Sequence, residues 1–66
     1  MNVSVNGEPR ALAAPVSLAS LVATLTTAPA GVAAAVNEAV VPRGEWATTL
    51  LVDGDRVEVL TAVQGG

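Results

Sequence analysis

From Asn2 the chain alternates polar and apolar positions, Asn2-Val3-Ser4-Val5-Asn6, the period of a half-buried strand. Asn6-Gly7 follows at once. Both central residues of a type I′ turn take positive φ, which Asn and Gly tolerate, so the dipeptide predicts a hairpin. Pro9 restricts its own φ and the conformation of Glu8, which places the second strand at Arg10-Ala11-Leu12-Ala13 with Leu12 inward. At Ser17 the period changes. Leu18, Leu21, Val22 and Leu25 fall at i, i+3, i+4 and i+7, one apolar stripe of a helix with Ser17 as its N-cap. Val16 and Leu21 fit a hydrophobic staple that sets the entry angle. The other face, Ala19, Ser20, Ala23 and Thr24, is small and unreactive, so this is a core helix and not a cofactor site. Thr26, Thr27, Pro29 and Gly31 end it together.

Beyond Gly31 the pattern returns to strands. Val32-Ala33-Ala34-Ala35-Val36-Asn37 reads as a third strand because its valines and the flanking Gly31 and Asn37-Glu38 outweigh the helix preference of alanine. Asn37-Glu38 turns the chain into Ala39-Val40-Val41, a short edge strand stopped by Pro42. Arg43-Gly44-Glu45-Trp46 is a loop or one short helical turn, and Trp46, the sole aromatic, plugs one end of the core. Leu50 and Leu51 precede the Asp53-Gly54-Asp55 turn, and Arg56 to Val63 form an alternating last strand. Strand, strand, helix, strand, short strand, strand is an α+β order compatible with a β-grasp.

Composition then removes most chemistries. Sixty-six residues make one small domain, and there is no cysteine or histidine to serve as nucleophile, general base or soft metal ligand. The six acidic residues are scattered, so no metal site is expected and the chain is read as a substrate or carrier, not an enzyme. A net charge of −3 with three arginines and no lysine argues against nucleic acid. No apolar run reaches the roughly 18 residues of a membrane span, and Met1-Asn2-Val3 does not open a signal peptide, so the cytoplasm is expected.

What remains is the end of the chain, Val63-Gln64-Gly65-Gly66. A domain of residues 1–62 carrying a flexible tail of residues 63–66 is expected. Glycine makes the thinnest chain, so a partner can close a narrow channel around it, and these four residues span at most about 13 Å. The α-carboxyl of Gly66 is the candidate reactive group. Because so short a thread buries little, docking must also use the folded body. On the last strand Val57, Val59, Thr61 and Val63 share the inward face, leaving Leu60 and Ala62 outward with Ala33 and Ala35 of the third strand. These four residues are the candidate partner-binding patch.

Val5-Asn6-Gly7, Ala35-Val36-Asn37-Glu38, Val40-Val41-Pro42-Arg43-x-x-Trp46, Asp53-Gly54-Asp55-x-Val57-Glu58 and Val63-Gln64-Gly65-Gly66 stand in an order and spacing that resembles the ThiS family, the sulfur carriers of thiamine biosynthesis. The likeness covers essentially the whole chain. It implies a ubiquitin-like β-grasp, a mixed sheet of about five strands curled over one main helix. It further implies that an adenylyltransferase of the ubiquitin-activating type (ThiF-like) uses ATP and Mg to adenylate Gly66, with no cofactor bound by this chain. A persulfide sulfur donor then makes the thiocarboxylate, and thiazole synthase (ThiG-like) receives the sulfur. The chain has only one aromatic and carries Val22 where a second helix leucine is common, which touches packing detail. Alternatives at this point are a sulfur carrier of the molybdopterin synthase small-subunit type and a ubiquitin-like modifier. The Pro42-Arg43-x-x-Trp46 segment favours thiamine.

Overall fold

In the computed structural model, which describes residues 1–26 and 31–61, a short hairpin comes first: β1 (Asn2–Val5) and β2 (Glu8–Ala11). Asn6 and Gly7 form its two-residue turn with φ of 51° and 83°, both positive as a type I′ turn requires. This turn corrects the expected second strand, which starts at Glu8 and not at Arg10. The tight loop pairs Val5 with Glu8 immediately, so Pro9 falls opposite Ser4 and needs no N–H there, on an edge strand where proline is tolerated. Leu12 lies just past the strand. Its N–H donates to the Met1 carbonyl at 2.7 Å, and its side chain packs partly against the core.

Helix α1 (Leu18–Leu25) begins as expected, with the Ser17 hydroxyl accepting from the Ser20 N–H at 3.1 Å. Leu18, Leu21 and Val22 are buried, and Val16 and Leu25 pack at the margin. The Thr26 N–H closes the last turn on the Val22 carbonyl. Strand β3 (Val32–Val36) and β4 (Ala39–Val41) follow, joined by Asn37 and Glu38, which both take positive φ. A 3-10 helix spans Arg43–Thr48, longer than the single turn expected, and β5 (Arg56–Thr61) completes the sheet.

The sheet order is β2-β1-β5-β3-β4, with β1 parallel to β5 and every other pair antiparallel. This is the mixed β-grasp sheet, with β5 in the centre and α1 across one face. The start of α1 is tied to the chain before β5: Leu18 N–H donates to Thr49 and Leu51 N–H to Val16, at 2.8 and 2.9 Å. That pairing drives Leu51 to full burial and leaves Leu50 exposed. Val3, Val5, Ala34, Val57 and Val59 supply the sheet's side of the core, and Trp46 closes one end. The indole N–H donates to the Val41 carbonyl at 2.8 Å, so the polar handle of the ring is satisfied inside. Thr61, expected inward with Val57 and Val59, is exposed. The buried cluster stops at Val59, so alternation continues along the strand but has nothing left to cover.

Candidate functional site

Because side chains alternate across a strand, burying Val57 and Val59 forces Glu58 and Leu60 onto the outer face of the sheet. The same rule on β3 buries Ala34 and turns Ala33 and Ala35 outward. Register brings the two sets together. Leu60 lies opposite Ala33, and Glu58, Ala35 and Val40 form one row across β5, β3 and β4. The central residues of these rows are alanines, whereas Leu60, Glu58 and Val40 stand taller on either side. The result is a shallow trough of about 240 Å³, walled by Leu60 and Glu58 on one flank and by Val40 and Glu38 on the other.

The walls are mostly apolar and open to water. Leu60 is 68% exposed and Val40 76%. Two large aliphatic side chains facing solvent beside a floor of alanines form an apolar patch of the kind that partners cover. Charge is confined to the rim. Glu38 sits 3.6 Å from the Arg56 guanidinium, both well exposed, so the pair is screened and contributes little to stability. Of the expected patch, Ala33, Ala35 and Leu60 are thus brought together. Val40, Glu58 and Glu38 complete it, and the alternation of outward Val40 with half-buried Val41 was the available signal for the first of them. Ala62 and the tail residues Val63, Gln64, Gly65 and Gly66 lie outside the described residues, as does the boundary expected after residue 62.

On the opposite side, α1 and the 3-10 helix flank a wider groove lined by Ala19, Val22, Ala23, Val32, Arg43 and Trp46. The Arg43 guanidinium lies over the Trp46 ring, 5.4 Å from its centroid, a cation–π contact that braces the indole. Both residues therefore act in packing. Among the described residues no three or more Asp or Glu side chains gather into a metal-holding group, and no helix is long and apolar enough to cross a membrane.

Comparison with known proteins bears on the whole chain. The model of the ThiS family matches residues 3–66. The chain belongs to the ThiS family. It is 32% identical over 66 residues to the sulfur carrier protein ThiS of Escherichia coli (strain K12), covering 100% of both chains. It is also 38% identical over 66 residues to a thiazole synthase of Magnetococcus marinus, where it spans 20% of that protein's length. Among solved structures, the crystal structure of a thiamine biosynthesis protein (ThiS) from Geobacter metallireducens superposes with a TM-score of 0.81 at 33% identity, with 100% of each chain covered. The solution structure from the same organism gives a TM-score of 0.83 at 35% identity, covering 100% of this chain and 88% of that one. The ubiquitin-like β-grasp is the shared fold, and the trough lies on the outer face of its sheet.

Proposed function

We propose that the chain is a sulfur carrier of thiamine biosynthesis and that the Gly66 carboxylate is the group that changes chemically. The observation that carries this reading is full-length correspondence with a protein named as that carrier, in a family match that runs through Gly65 and Gly66. The chain is then a substrate of partner enzymes and binds no cofactor of its own. A carboxylate is a poor electrophile, so it needs a good leaving group before sulfur can enter. An adenylyltransferase of the ubiquitin-activating type (ThiF-like) supplies one with ATP and Mg. A Gly66 oxygen attacks the α-phosphorus, pyrophosphate leaves, and an acyl adenylate results; the partner's site stabilises the charge on phosphate. The terminal sulfur of a persulfide donor attacks the acyl carbon and AMP leaves. Cleavage of the remaining S–S bond by a thiol leaves the thiocarboxylate.

The consumer of that sulfur on this reading is thiazole synthase (ThiG-like). Support comes from the Magnetococcus marinus protein of that name, a fifth of which aligns with the entire chain. A carrier-like segment joined to a synthase is the arrangement that serves two proteins acting on one another. Docking falls to the trough, where Leu60, Ala33 and Ala35 offer apolar area that the four-residue Val63-Gln64-Gly65-Gly66 segment is too short to supply. ATP-dependent activation and an oxidisable thiocarboxylate fit the cytoplasm. Intact-mass measurement of the protein purified from cells grown without thiamine tests the reading. Replacement of one oxygen by sulfur, confined to Gly66, supports it. An adduct on the lysines of other proteins, with no sulfur at Gly66, refutes it in favour of a modifier.

A further inference from the structure

Strand β1 runs out before β5 does. The two pair only at Ser4 with Arg56 and Val5 with Val57, and their backbone ladder ends where the Asn6 N–H donates to the Val57 carbonyl at 2.9 Å. There the chain turns off into the hairpin, with Asn6 at φ 51°. Another rung would need an acceptor for the Val59 N–H and a donor for the Val59 carbonyl. The Asn6 side chain provides both. Its Oδ1 accepts from the Val59 N–H at 2.9 Å, and its Nδ2 donates to the Val59 carbonyl at 3.1 Å. A carboxamide carries the same donor and acceptor as a peptide group, so one side chain substitutes for the missing backbone. Aspartate lacks the donor. Glutamine is a methylene longer and is less at ease at positive φ.

Val59 is also the last buried residue along β5, and the strand beyond it leads into residues 62–66. We propose that Asn6 is a positioning residue for the activation of Gly66: its two hydrogen bonds fix the point from which the diglycine segment is presented to the adenylating enzyme. This inference rests on the carrier reading above. Gly66 lies seven residues beyond Val59, an extended reach of at most about 23 Å. Without the clamp, β5 beyond Val57 is held on one flank only, by β3, and the last point bonded on both flanks retreats by two residues. Greater freedom over that stretch of about 7 Å matters because a misplacement of roughly 1 Å already slows a reaction about a hundredfold.

Two variants of the full-length protein separate positioning from folding. Asn6→Gly removes the carboxamide while keeping the turn's positive φ free of strain. Asn6→Asp keeps the acceptor and loses the donor. Amide exchange is followed at Val59, Val57 and Leu21, and pyrophosphate release is followed with the adenylyltransferase, ATP and Mg. In Asn6→Gly, exchange at Val59 rises about tenfold to thirtyfold more than at Leu21, the loss expected for two hydrogen bonds. The kcat for pyrophosphate release falls about tenfold, with KM within about twofold because the trough is untouched. Asn6→Asp falls between Asn6→Gly and the native protein. Equal increases in exchange at Val59 and Leu21 would overturn the proposal, since Asn6 would then serve stability alone. So would selective exchange at Val59 with kcat unchanged, or a rise in KM alone. Absence of pyrophosphate release with the native chain would instead refute the carrier reading, and it is seen before any variant is compared.

Discussion

Replacing Leu60 by alanine should weaken docking far more than folding, and the structure sets both magnitudes. Leu60 is 68% exposed, so about a third of its surface is packed within the fold. Full burial of a leucine side chain stabilises by about 1.5–3 kcal/mol, so losing the packed third costs the fold about 0.5–1 kcal/mol. For a domain of this size that lowers Tm by about 2–8 °C. On the proposed docking reading, the exposed two thirds are what a partner covers. Their loss should cost about 1–2 kcal/mol of binding, a rise in Kd of about fivefold to thirtyfold. Leu60→Glu should do more, because it places a carboxylate against an apolar contact and beside Glu58. Calorimetric titration against the adenylyltransferase measures Kd, and circular-dichroism melts measure Tm. A Kd within about twofold of the native value would show that the trough is not the docking face. So would a binding loss no larger than the stability loss.

Other expectations follow from single contacts. Deleting Gly66 should abolish pyrophosphate release by removing the reacting carboxylate from its register, while Tm stays put because the described core ends at Val59; retained turnover would refute Gly66 as the acceptor. Trp46→Phe leaves the Val41 carbonyl without the indole donor and should cost about 1–3 kcal/mol. Trp46→Ala should cost about 3–5 kcal/mol, a large part of a small domain's stability, and urea unfolding followed by circular dichroism checks both. Glu38→Gly should raise stability by about 0.5–1 kcal/mol, since an L-residue at φ 71° is strained and the exposed pair with Arg56 contributes little. A drop in the urea midpoint would show that the Arg56 contact outweighs the backbone strain.

The elements legible in the sequence are those written in nearest neighbours. The Asn6-Gly7 turn, the Ser17 cap with its Leu18, Leu21 and Val22 stripe, and the face alternation of β3 and β5 each follow from residues within one turn or one strand. Features decided by distant partners were not legible. The register of β2 depends on how tightly the hairpin closes, and that tightness overrode the apparent penalty of Pro9. The pairing of Val16 and Leu18 with Leu51 and Thr49 joins segments more than thirty residues apart, and nothing near Leu50 and Leu51 says which of the two is buried. The Asn6 clamp on Val59 reaches across 53 positions, and locally Asn6 reads only as a turn residue. The docking face was half visible: Leu60, Ala33 and Ala35 come from alternation, but a trough exists only once register sets Val40 and Glu58 beside the alanines. The chemistry of Gly66 rested on family likeness and on the shortage of other reactive groups.

Strand β5 carries two duties on opposite faces, and the period of two keeps them separable. Its inward residues, Val57 and Val59, hold the helix and the neighbouring strands, so changes there act on stability. Its outward residues, Glu58 and Leu60, are exposed to solvent and open to being shaped by a partner. Central placement between β1 and β3 adds a mechanical consequence. A strand bonded on both flanks resists being drawn out when a partner engages the segment that follows, whereas an edge strand such as β4 is bonded on only one. Short β1 would forfeit that advantage at Val59, the last buried position along the strand, and the Asn6 carboxamide restores it there. Folding and the proposed docking and presentation of Gly66 therefore converge on six residues, with sidedness and a single side-chain clamp keeping a change in one from becoming a change in all.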